Sequence, residues 1–219
     1  LPNLKRLYIR STLVRELDGI ENLIDLEALD IQSLQLTSID QLLGNNQSLQ
    51  NLQAGNNNLT SVDLGAACEQ LVQIGLHGNR DLSELKNFSD RTFDRVDLSY
   101  TALQDLAFLG GQTEIRAFYI GGEQLSDLAG LRNITGLIHL EIQASPQIAA
   151  LDVLTELSPL ERLELRGMEL LQNLDFLQSQ NQLNHLTLER SYSVEDYSGL
   201  QFLSNLESAR LNYLGSLDL

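Results

Sequence analysis

The amino-acid sequence predicts an α/β-type solenoid. A curved parallel β-sheet forms its concave face, and short 3₁₀ or extended segments return along its convex face. Three observations predict this. Apolar residues recur at a fixed long period from end to end. Within each period they alternate as they do in a strand. The core they imply is aliphatic, because 42% of the 219 residues are apolar but only 5% are aromatic and none is Trp.

The period is read from "LVQIGLHGNRDLSEL", residues 71 to 85. It aligns with "LQNLQAGNNNLTSV" from residue 49 and "FDRVDLSYTALQDL" from residue 93. All follow L-x-x-L-x-L-x-x-[N/T] in apolar character, and such self-similarity is the signature of repeat architectures. The first apolar position falls at Leu4, Leu26, Leu49, Leu71, Phe93, Ile115, Leu137, Leu160, Leu183 and Leu206, in steps of 22 or 23 residues. These residues open units one to ten.

Each unit then divides into predicted elements. In x-L-x-L-x the two leucines point to one side, because strand side chains alternate, and the x residues face the other way. Stacked at about 4.8 Å, ten parallel strands span roughly 45 Å. Later apolar positions such as Leu125, Leu128 and Leu131 close the core from behind. Their three-residue spacing and the short return path predict 3₁₀ turns or extended chain, not long helices. The ninth position carries Asn57 and Asn79, expected to be buried and bonded to turn backbone. Thr12, Thr101, Ser145 and Ser191 can do part of that work. Leu34, Met168 and Leu214 cannot, so distorted turns or bound water are expected there.

The pattern resembles the leucine-rich repeat family over nearly the whole chain. Tails such as "TALQDLAFL" and "EQLSDLAGLRNITGL" are similar to the 22-residue repeats of bacterial internalin-type proteins. The later 23-residue units, with "ASPQIAALDVL" and "GMELLQNLDFL", have some receptor L-domain character. The resemblance implies a right-handed coil whose concave sheet binds a protein. We expect residues 1–219 to form a single leucine-rich repeat domain of about ten units, part of a longer protein. It also favours a bacterial protein, extracellular or at the cell surface, over a cytoplasmic one.

Composition excludes several function classes. The formal net charge of −16 argues against a nucleic-acid or anionic-membrane binder, since both need a basic surface. No run of 18 apolar residues is present to span a membrane. The single cysteine, Cys68, falls at an apolar convex position and reads as a buried inert thiol. Phosphate loops, nucleophile–base pairs and metal spacings are missing, so no cofactor and no enzymatic activity are expected.

The outward strand positions three, five and seven differ from the rest of the chain. These 30 positions hold 6 of the 14 basic residues, all 3 histidines and only 5 of the 30 acidic residues, for a formal charge of +1. Tyr and Arg are enriched at interface hot spots, so this face is the candidate partner-binding surface. Its centre is Tyr119, His139, Glu141, Arg162, Glu164, Arg166, His185 and Glu189, with Arg95 and Tyr100 beside them. A partner carboxylate could be gripped by Arg162 or Arg166. Gly55, Gly75, Gly121 and Gly122 are expected to leave shallow floor for partner side chains. The plainer reading is that the arginines pair with Asp97, Glu141, Glu164 and Glu189 across strands. His139 and His185 stand two strands apart, roughly 10 Å, too far for ligands that sit about 2 Å from zinc, so no metal is expected. The rival readings are a structural spacer of a surface protein, or the targeting domain of a bacterial effector or phosphatase-regulating protein.

Overall fold

The computed structural model describes residues 3–10, 17, 19–43, 46–65, 68–111, 113–157 and 159–215. Ten strands, one from each unit, form a continuous parallel sheet. They are Arg6–Tyr8, Ala28–Asp30, Asn51–Gln53, Gln73–Gly75, Thr92–Ser99, Thr113–Gly121, His139–Gln143, Arg162–Arg166, His185–Glu189 and Ser208–Asn212. An eleventh, Ile134–Thr135, pairs with the start of the unit-six strand. The register follows the leucine alternation: the third residue of each unit lies opposite the third of the next, from Arg6–Ala28 to His185–Ser208. A one-residue slip would turn the whole apolar set to solvent.

Core columns run through the stack. Leu140 pairs with Leu163 and Leu163 with Leu186, and all three are fully buried. A second column joins Ile142, Leu165 and Leu188. No unit can bury its apolar side alone, so each is stabilised by its neighbours.

The convex side is uneven. Units one and five to nine turn back through 3₁₀ segments, the longest being Ala129–Asn133, Asp152–Glu156, Asp175–Ser179 and Ser198–Phe202. Unit two instead makes one α-helical turn, Asp40–Leu43. Units three and four pair two short strands, Ser61–Asp63 and Glu84–Lys86. Convex acids cap these turns: Asp105, Asp127 and Asp196 accept from the backbone N–H of Ala107, Ala129 and Ser198 at 2.9, 2.6 and 2.8 Å. Local side-chain capping of this kind replaces hydrogen bonds that a short turn cannot make for itself.

Asn57 and Asn79 are buried as expected. Asn57 accepts from the N–H of Leu34 and Leu36 and donates to the carbonyls of Ile31 and Ala54. Asn79 accepts from Leu59 N–H and donates to Leu76 and Ala54. The distortion expected at Leu34 is present, for Ser33 and Gln35 on either side both have positive φ. Met168 is buried, and there only the preceding Gly167 is left-handed. Thr12 lies outside the described residues. A second set of amides was not foreseen. Gln180, fully buried, donates to Leu154 O and accepts from Leu160 N–H, both at 2.7 Å.

The eighth position has positive φ in every unit from two to ten: Ser33, Asn56, Gly78, Tyr100, Gly122, Ala144, Gly167, Arg190 and Tyr213. There the chain leaves the sheet. Glycine takes this conformation at little cost, and bulky residues do so only when their surroundings hold them.

Candidate functional site

The third, fifth and seventh residues of adjacent strands stand side by side on the sheet face, 4.8 Å or so apart. In units five to nine they form one connected set. The Arg95 guanidinium lies over the Tyr119 ring, 3.8 Å from its centroid. The ring meets His139 edge-on at 4.9 Å between centroids, and the phenol oxygen is 3.2 Å from His139 Nδ1. His139 Nε2 then faces Glu164 Oε1 at 3.5 Å. Arg162 Nε donates to the same oxygen at 2.6 Å. Arg166 donates through Nη1 to Glu141 and through Nη2 to Glu164, and its Nε is 3.3 Å from Glu189.

The structure thus brings together eight of the ten candidate residues: Arg95, Tyr119, His139, Glu141, Arg162, Glu164, Arg166 and Glu189. His185 lies opposite Arg162 in the register without a hydrogen bond to the set among the described residues. Burial and the adjacent Arg162 push its pKa below the ordinary histidine value. Tyr100 sits at the rim in the left-handed conformation, and its hydroxyl donates to Gln143 Oε1, two strands away, at 3.0 Å.

Two sequence expectations are corrected. First, Arg166 is no free grip for a partner, because its three nitrogens face three carboxylates of its own sheet. Its contacts to Glu141 and Glu189 are the cross-strand pairing that sequence alone held as the plainer alternative, and its contact to Glu164 lies within its own strand. Glu141 and Glu164, at the middle of their strands, are buried. Second, the glycines leave no vacant floor. A Cβ on Gly55 would fall 2.4 Å from the His77 ring, and one on Gly75 would fall 2.2 Å from Gln53 Oε1. Gly121 and Gly122 face carbonyls of Gln143 and Thr101 at 1.8 and 2.1 Å from such a Cβ. These glycines admit neighbouring side chains and backbone of the protein itself.

Electrostatics follows from that arrangement. His139, with Arg162 and Arg166, holds the Glu164 carboxyl down at about 2, against the push of burial. At Glu141 burial prevails over Arg166, and the carboxyl is raised. Glu164 is met by both Arg162 and Arg166, and Glu141 by Arg166.

Sequence reading weighed histidine against histidine and missed a tighter group. His139, Glu141 and Glu164 offer ligand atoms within 4.8 Å of one another. Arg162 and Arg166 already neutralise these carboxylates, so a dication would have to displace a guanidinium. Cys68 is buried, donates to Leu43 O at 3.3 Å, and has its thiol pushed up by burial, which makes it a poor nucleophile. The Arg95–Tyr119 stack was also missed. Its signal was an arginine at position three followed, one unit on, by a tyrosine at position five.

No family model matches the chain, and no curated protein matches it. Solved structures do. It is similar to internalin C2 of Listeria monocytogenes, with 21% identity over 94% of this chain and 80% of that one and a TM-score of 0.50. It is also similar to the leucine-rich repeat domain of the type III effector XopL, with 18% identity over 97% and 77% and a TM-score of 0.53. No described helix is long and apolar enough to cross a membrane.

Proposed function

Taking the fold to be that of the leucine-rich repeat proteins, we propose that the chain is a non-catalytic module that recognises a protein partner through its concave sheet, centred on units five to nine. The observation that carries this reading is the packed Arg95–Tyr119–His139 array, with Tyr100 at its rim. Aromatic and arginine side chains already fixed in the free protein lose little entropy on binding, and they dominate interface energetics. A spacer has no use for such an array on one face alone. No observation favours catalysis: the buried carboxylates of Asp30, Glu141 and Glu164 are tied to Arg10, Arg162 and Arg166. We propose further that residues 1–219 are one domain of a longer protein, secreted by or attached to a bacterium, as the internalin and effector likenesses suggest.

The test is calorimetric titration of an isolated partner. Tyr119→Ala and Arg162→Ala should each weaken binding by more than about 1 kcal/mol. Asp105→Ala and Asp152→Ala, on the convex side, should leave it intact. The reverse outcome moves the interface to the convex face.

A further inference from the structure

Ionic groups on the sheet face are sorted by height. Its five carboxylates, Asp30, Asp97, Glu141, Glu164 and Glu189, expose 3 to 24% of their side chains. The arginines paired with them, at positions 10, 95, 162, 166 and 210, expose 29 to 62%. Every arginine is more exposed than any carboxylate. The cause is side-chain length and place in the strand. Four of the acids take the mid-strand fifth position, walled in by both neighbouring strands. All but one of these arginines occupy positions three and seven, and the longer stem carries the guanidinium over the acid. A formal charge near zero therefore conceals two layers, negative below and positive above.

The upper layer keeps unused donors. Arg162 spends Nε on Glu164, and both of its Nη groups lack a hydrogen-bond partner among the described residues. Arg95 reaches Asp97 with one Nη at 3.5 Å and stacks its face on Tyr119, and its side chain stays 46% exposed. Arg210 lies 3.9 Å from Glu189 and makes no hydrogen bond among the described residues. A guanidinium edge of this kind matches a carboxylate in two parallel bonds.

We infer that the partner enters this face with an acidic protein segment whose aspartate or glutamate side chains bind Arg95, Arg162 and Arg210, while Arg166 stays within the sheet as the clamp of the lower layer. This rests on the concave-face reading above and adds the partner's chemistry. Arg95 and Arg162 share position three, three strands apart, roughly 14 Å by strand spacing. An extended chain lying across the strands advances about 3.3 Å per residue, so carboxylates about four residues apart meet both. A long polyanion such as nucleic acid suits the molecule poorly. It would run past the small positive layer onto a surface that gives the whole chain its charge of −16. A short acidic segment stays over the arginines, with the convex acids beyond a core layer about 10 Å thick, comparable to the screening length in physiological salt.

The experiment measures fluorescence anisotropy of labelled peptides on the chain. One peptide carries glutamates about four residues apart, and a matched one carries glutamine there. The glutamate peptide should bind at least about tenfold more tightly, and its affinity should fall several-fold between about 50 and about 300 mM salt. Arg95→Gln combined with Arg162→Gln should remove at least about fivefold of that affinity. Arg132→Gln, at an exposed convex arginine paired with Glu156, should change it less than about twofold. Equal binding of the two peptides, or an equal loss in Arg132→Gln, overturns the inference, as does tighter binding of a single-stranded oligonucleotide of similar charge. A partner lost with Tyr119→Ala but indifferent to the Arg95 and Arg162 changes would sink the acidic-segment inference and leave concave-face recognition standing. A partner indifferent to all three would sink both.

Discussion

Units three and four carry a sheet face of neutral amides, and units seven to nine carry one of ions, on the same backbone in the same register. In the first region Asn51 donates to Gln73 at 2.8 Å, Gln53 donates to Asn51 at 3.0 Å, and Asn56 meets His77 at 3.3 Å. Such pairs are worth about 1 kcal/mol each, and either partner can turn to water if the other is lost. In the second region the same positions hold Glu141, Glu164 and Arg166, and removing one group strands buried charge on the others. The repeat sets where side chains stand. What they can do there depends on how fully each is compensated.

The comparison can be broken at the core first, where the two regions should behave alike. Leu52→Ala and Leu163→Ala lie in one column, both fully buried, and each should cost about 2–5 kcal/mol in denaturant unfolding. A large gap between them would show that the amide and ionic regions do not share one continuous core. At position five the regions should part. Glu164→Gln, by taking its carboxylate from Arg162 and one of three from Arg166, should cost about 1–3 kcal/mol, against less than about 1 kcal/mol for Gln53→Ala.

Acid sharpens the same contrast. Glu164 titrates at about 2 in the fold, below its ordinary 4.5, so between these values the unfolded chain binds more protons. Its stabilisation is complete above about 4.5 and is lost as pH falls toward 2. Glu141, raised by burial, acts in the opposite sense and loses stability as pH rises above its ordinary value. Unfolding midpoints followed from pH 5 downward should therefore fall less steeply in Glu164→Gln than in the native chain, whereas Gln53→Ala should follow the native slope. Asn79→Ala, which orphans Leu59 N–H, should cost on the order of 1–3 kcal/mol. The smallest effect is expected at Ala144, left-handed at φ 50°, where glycine should stabilise by about 0.5–1 kcal/mol.

Strand register was fully legible in the sequence, because two leucines per strand leave a single alignment that buries them all. Asn57 and Asn79 were legible for a related reason: an amide at a fixed offset from those leucines has backbone around it and no water. The ionic lattice was half legible. That Arg166 would find acids followed from position; that it would find three, and so be withdrawn from the surface, depends on side-chain reach, which a repeat pattern does not encode. The glycines misled because an absent side chain looks like space until a neighbour such as His77 is placed over it. Left-handed backbone at Tyr100, Arg190 and Tyr213 had no local signal, since only Gly78, Gly122 and Gly167 advertise that conformation at the same position.

The longest strands lie in the middle of the stack: Thr92–Ser99 has 8 residues and Thr113–Gly121 has 9, against 2 to 5 for the other strands of the sheet. Each pairing joins residues about one repeat apart in the chain, so the loops closed during folding are nearly all the same modest length. Ordering should then begin at this central pair, where a single closure gains the most contact, and travel outward one unit at a time in both directions. Backbone amides of units five and six should exchange with deuterium last, with protection declining stepwise toward either end.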